Sequence, residues 1–169
     1  MLDVQGDLRR SDTLVVAFTG VMDGLGGIPF EFHRTISRSP WAGLFVRDTE
    51  KIWYQYEQFE IDNLVKMVRG IADEAGAKRV ICLGNSMGGF GAILFGRILR
   101  ADAIVAFVPQ TCFEPTLTDA IGDFRWRQWQ ETIRSYPHGD LAAYDPGPAR
   151  VTLVCGADEP LDCAHISRF

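Results

Sequence analysis

The sequence predicts an α/β protein, a mostly parallel sheet flanked by helices on both faces. Three observations carry this. Five short, β-rich apolar runs recur along the chain. They do not alternate polar and apolar residues, which suits strands covered on both faces. Helical periodicity fills several of the intervals between them, the rhythm of parallel strands joined by right-handed crossovers.

The elements follow in order. The first run is TLVVAFT, Thr13 to Thr19, and the second is GLFVR, Gly43 to Arg47. The stretch FEIDNLVKMVRGIADEAG comes next; Ile61, Leu64, Val65, Val68, Ile71 and Ala72 recur at helical spacing, and Gly76 is a natural C-terminal stop. RVICLG, Arg79 to Gly84, is the third run, and Phe90, Ile93, Leu94 and Ile98 make a second helical stripe behind it. AIVAFV (Ala103–Val108) and RVTLVC (Arg150–Cys155) are the fourth and fifth. Between these two, Leu117, Ile121, Phe124, Gln128 and Ile133 suggest an amphipathic helix, with Trp126 and Trp129 adding aromatic bulk. The stretch 113–140 is therefore expected either to cover the sheet or to cap a pocket. No repeat, low-complexity tract or linker divides the chain, so residues 1–169 are expected to form a single domain with a helical cap-like insertion at about 113–140.

Composition narrows the function. The 169 residues are 47% hydrophobic and 23% charged, with a net charge of −5. Such a chain is long enough to bury a real core. Mild acidity without a basic stripe argues against a nucleic-acid partner. No apolar run approaches the roughly 20 residues that span a bilayer, so no membrane partner is expected. MLDVQGDLRRSD lacks the apolar core of a signal peptide, and the expectation is a cytoplasmic protein. Of the four cysteines, Cys82 and Cys155 lie in strand-like runs, where a thiol acts as a small hydrophobe. Cys155, Cys163 and His165 match no tight ligand spacing, so no metal and no cofactor are expected. Disulfides are not expected in that compartment.

One motif carries chemistry. Gly84-Asn85-Ser86-Met87-Gly88 follows a strand and opens a helix, the context of a nucleophile elbow. A strand turning abruptly into a helix strains the serine and brings the residues two before and two after it together, where side chains would clash. The turn lifts Ser86 Oγ to the C-terminal edge of the sheet, beside a helix N-terminus where the Met87 N–H can stabilise an oxyanion. The bland alternative makes Ser86 a helix N-cap.

With its strand order and GNSMGGFGA, the chain resembles the α/β-hydrolase superfamily of serine hydrolase type over nearly its whole length. The resemblance implies Ser86 as nucleophile and AFTGVMDGLGG, Ala17 to Gly27, as the oxyanion loop, with a backbone N–H near Val21 as second donor. Thr19-Gly20 stands where that superfamily usually has His-Gly. Gly24, Gly26 and Gly27 also suit a phosphate loop, but no Lys-Ser/Thr completes one. The late stretch RVTLVCGADEPLDCAHISRF resembles the acid loop, implying Asp158 as the catalytic acid, Asp162 as its close alternative and Glu159 as a distant third. FVRD, WYQ and FVPQT are similar to a bacterial subgroup of hydrolase-like proteins. Ligands in such folds gather beyond the carboxyl ends of strands; Gln110 and Thr111 are thus candidates for lining the pocket, and Arg47 either binds a substrate carboxylate or pairs with Asp48.

The base is missing from this pattern. In the superfamily a histidine follows the acid, on a loop after a further strand. His165 falls at the start of an expected helix, His138 lies in the YPHGD turn, and His33 lies near the oxyanion loop. Each reads better as structural or surface histidine, so the sheet is expected to lack its last strand and His loop, as in a C-terminally shortened chain. Two functions compete. One is a serine hydrolase or acyltransferase acting on a small-molecule ester or thioester (esterase, thioesterase or acyltransferase type). The alternative is a non-catalytic or impaired hydrolase-like binding module. An exposed sheet edge would favour self-association.

Overall fold

The computed structural model describes residues 1–22, 29–145 and 147–169. Six strands form one sheet: β1 (Leu2–Asp7), β2 (Thr13–Phe18), β3 (Ala42–Asp48), β4 (Arg79–Asn85), β5 (Ala103–Phe107) and β6 (Arg150–Val154), in the order β1-β3-β2-β4-β5-β6. The five expected strands are present and parallel to one another. β1 is an addition: it runs antiparallel to β3, with Leu2 opposite Asp48 and Asp7 opposite Gly43. β6 is the other edge, and Val151 and Val154 are exposed on it.

Helices cover both faces. β2 shows why: Leu14, Val16 and Phe18 point to one side and Val15 and Ala17 to the other, as the two-residue strand period requires. On the first side lie α2 (Gln58–Ala75) and α3 (Met87–Leu99). α2 buries Ile61, Leu64, Val68, Ala72 and Ala75 and ends at Gly76, whose φ of 74° lets Ala77 N–H reach Ala72 O at 2.8 Å. α3 is buried along nearly its whole length. On the other side the short α1 (His33–Ser37) inserts Ile36 beside Phe30 and Phe45.

The segment after β5 departs from the expected single amphipathic helix. α4 (Pro115–Ala120) stops before Gly122, which sits at φ 75°, and the chain resumes helical form only at α5 (Arg127–Gln130). A 3₁₀ turn (Leu141–Ala143) leads towards β6, and α6 (Pro160–Ile166) follows it. No helix among the described residues is long and apolar enough to cross a membrane.

Candidate functional site

Ser86 stands between β4 and α3 with φ 54° and ψ −121°, a conformation that only glycine adopts without strain. The flanking glycines are there for space. A Cβ on Gly84 would lie 2.0 Å from Gly88 O, and one on Gly88 would lie 2.1 Å from Phe18 O. Both obstacles are backbone, so neither side can yield. Packing of β4, α3 and the end of β2 thus fixes where Ser86 points.

The first intrahelical bond of α3 runs from Phe90 N–H to Ser86 O, at 3.0 Å. The N–H of Met87 therefore has no acceptor within its helix. Across the gap, β2 is followed by Thr19-Gly20-Val21. Val21 is buried, while positions 23–27 of the expected oxyanion loop lie outside the described residues. Ser86 Oγ approaches Gln110 Oε1 at 3.4 Å, and Trp53 Nε1–H donates to that same oxygen at 3.1 Å. An indole N–H only donates, so it fixes the Gln110 amide with its oxygen towards the serine.

Other strained residues lie just after β5 and just after β3. Val108, a β-branched residue directly after β5, has φ 40°; Trp53 and Tyr54 have φ 54° and 56°. The strained segment after β3 is anchored by Asp48, fully buried, which accepts from the N–H groups of Glu50, Ile52 and Tyr54 and from the Tyr56 hydroxyl. Tyr54 in turn donates to Thr19 O at 3.1 Å. Sequence reasoning missed this arrangement because its signal, a buried aspartate facing three turn amides, is tertiary.

The remaining predicted residues separate. Thr111 is fully buried and bound to His165, its hydroxyl donating to the carbonyl and its N–H to Nδ1. Arg47 does not pair with Asp48. Successive β3 side chains point to opposite faces, and Arg47 bonds Asp3 of β1 at 2.8 Å. Asp158 sits exposed in the turn after β6. Asp162, buried in the first turn of α6, accepts from Arg125 at 2.9 Å. Neither carboxylate is hydrogen-bonded to Ser86.

The histidines are engaged elsewhere. With Thr111 N–H on Nδ1, the assigned tautomer of His165 has Nε2–H donating to Asp123 Oδ2 at 3.0 Å. Burial pushes the Asp123 carboxyl up, but the bonds from His165 and Arg125 outweigh it and hold the group well below the usual carboxylate range. His138 Nε2–H donates to Tyr56 O at 2.9 Å, leaving Nδ1 to the Tyr144 hydroxyl, and burial lowers its pKa. His33 lies against the Phe45 ring. Among the described residues no three metal-ligating side chains gather.

A six-stranded, mostly parallel sheet with a strained serine after β4 has the architecture of the α/β hydrolases. The chain is similar to the capsule O-acetyltransferase of Neisseria meningitidis serogroup A, with a TM-score of 0.74 and 14% identity over 98% of this chain and 75% of that one. A variant of that enzyme has been solved in complex with CoA (TM-score 0.69). It is similar also to a fluorophosphonate-binding serine hydrolase of Staphylococcus aureus, FphF, with a TM-score of 0.59 and 13% identity over 95% and 71% of the two chains. No protein-family model and no curated protein sequence matches the chain.

Proposed function

We propose that this protein is a serine-dependent acyl-transfer enzyme, a hydrolase or acyltransferase acting on a small ester or thioester through Ser86. The observation that carries the reading is the Ser86 backbone at φ 54°, ψ −121°, held by two glycines with no room for a side chain. Strain of this kind costs about 1–3 kcal/mol and persists where the surrounding structure imposes it, most often at active sites. The O-acetyltransferase and the serine hydrolase that share the fold support the same chemistry.

In this mechanism Ser86 Oγ attacks the acyl carbonyl carbon as its proton leaves to a base. Met87 N–H and a second N–H near Val21 receive the oxyanion, which collapses to an acyl-serine as the alcohol or thiol departs. Water or a second nucleophile then takes the acyl group. Asp158 is the preferred acid, because Asp162 already neutralises Arg125. Residues 113–140 serve as the cap: Phe113 stacks on Trp53 at 3.9 Å, with Trp126 and Trp129 beside it, and Trp53 holds Gln110 next to Ser86.

A second reading, a non-catalytic or impaired binding module, is favoured by one observation: His138 and His165 spend both ring nitrogens away from Ser86. Intact-mass spectrometry after a fluorophosphonate probe, with Ser86→Ala beside the wild type and with or without added imidazole, separates the two. An adduct absent from the variant supports the enzyme. An adduct that needs imidazole places the defect in the base alone. No adduct under either condition favours the binding module.

A further inference from the structure

We propose that Glu31 is a positioning residue of the Ser86 site, its carboxylate clipping together the two backbone segments that carry the proposed oxyanion donors. The proposal rests on the Ser86 reading above. Gly20 N–H donates to Glu31 Oε2 at 3.2 Å, and the Asn85 side-chain amide donates to Oε1 at 3.4 Å. Gly20 immediately precedes Val21, and Asn85 immediately precedes Ser86 and Met87. One carboxylate therefore spans from the end of β2 to the end of β4. Glu31 is itself seated by its own N–H, which donates to Thr19 Oγ1 at 3.3 Å. The two segments are in backbone contact: a Cβ on Gly20 would lie 3.0 Å from Asn85 O.

The chemistry calls for a carboxylate. The two N–H donors each meet a different oxygen, and an ionised carboxylate presents an acceptor at both positions. A glutamine would turn its own NH₂ towards one of them. Among the described residues no cation pairs with Glu31. Among the described residues, those facing it are Gly20 and Thr19 just after β2, Asn85 from β4, and more distantly Tyr54, whose hydroxyl bonds Thr19 O. Burial accordingly raises the Glu31 carboxyl, against the lowering by the bonds from Gly20 and Asn85. Protonation turns one oxygen into a donor and opens one arm of the clip, so the clip loosens as pH falls through that raised value.

The test pairs amide NMR with labelling kinetics. The Gly20 ¹H–¹⁵N shift and the fluorophosphonate labelling rate at Ser86 are followed from pH 4 to 8 in the wild type, Glu31→Gln and Glu31→Ala. The expected result is a Gly20 shift titrating above the ordinary glutamate value of about 4.3 in the wild type and flat in Glu31→Gln. Labelling should fall about 100-fold in Glu31→Ala, the scale of losses from a misplaced donor, and to an intermediate level in Glu31→Gln. The acid limb that coincides with the Gly20 titration should vanish in Glu31→Gln. A Gly20 shift that titrates equally in Glu31→Gln, or an unchanged labelling rate in folded Glu31→Ala, overturns the clip while leaving the nucleophile in place. A wild type that never labels at Ser86, even with imidazole, overturns both, since the clip would then have no donors to position.

Discussion

Ser86 binds backbone strain and proposed chemistry in one residue, and the two can be separated by substitution. At φ 54° and ψ −121° a glycine is relaxed where serine is not. Removing strain of about 1–3 kcal/mol outweighs the extra chain entropy of glycine, about 0.5–1 kcal/mol. Ser86→Gly should therefore stabilise the fold by about 1 kcal/mol, raising Tm by about 2–4 °C, while abolishing labelling. A lower Tm would mean that the serine is not strained. The neighbouring glycines behave oppositely. Gly88→Ala places a methyl 2.1 Å from Phe18 O at the end of β2 and should cost about 3 kcal/mol or more. Gly70→Ala, in α2 with nothing within 4 Å of the new methyl, should stabilise by about 0.5–1 kcal/mol. Thermal melts of the pair check that crowding, rather than glycine replacement as such, is what the turn at Ser86 cannot tolerate.

At the scale of elements, the turn after β3 brings Trp53 to Gln110 beside Ser86, and Asp48 is what holds it. Its carboxylate accepts three backbone N–H groups and the Tyr56 hydroxyl, keeping Lys51, Trp53 and Tyr54 at positive φ. Hydrogen bonds to a charged group contribute about 1.5–3 kcal/mol each. Asp48→Ala should therefore cost at least about 3 kcal/mol in urea unfolding, whereas Tyr56→Phe, which leaves the three amides bound, should cost about 1–2 kcal/mol. Similar losses for both would move the anchor from the carboxylate to the tyrosine. None of this turn was visible in the sequence, since WYQY gives no local sign of positive φ. β1 escaped notice for a different reason: LDVQGD is an edge strand with polar residues, and its pairing with β3, Leu2 with Asp48 through Asp7 with Gly43, is set from far along the chain. β2 and β4 were legible because burial on both faces demands an unbroken apolar run, and the tight strand-to-helix turn at Ser86 because Gly84 and Gly88 sit where no side chain fits. Glu31 was not: a single acid 11 residues from the amide it binds carries no spacing signal. The broken α4–α5 segment shows tertiary packing on Trp53 overriding a helical stripe.

Across the whole molecule, buried titratable groups tie distant parts of the chain together and set its response to acid. His138 joins the Tyr56 backbone to Tyr144, and the Asp123–Arg125–Asp162–His165 cluster joins the segment after α4 to α6 and to Thr111. Burial depresses the His138 pKa, so the unfolded chain takes up a proton that the native one refuses. Its contribution is complete above the ordinary histidine value of about 6.5 and is lost as pH falls below it. Asp123, also depressed, contributes fully above about 3.9 and loses its share only in stronger acid. Glu31 has the opposite sign: raised by burial, it takes its proton more readily when folded and offsets part of the decline in the window just above 4.3. The urea midpoint should accordingly drop in two stages, one beginning near pH 6.5 and a second below about pH 4. In His138→Gln, which is neutral throughout, the first stage should disappear and the second persist. A variant whose midpoint still declines between pH 7 and 5.5 as the wild type does would assign that stage to another group.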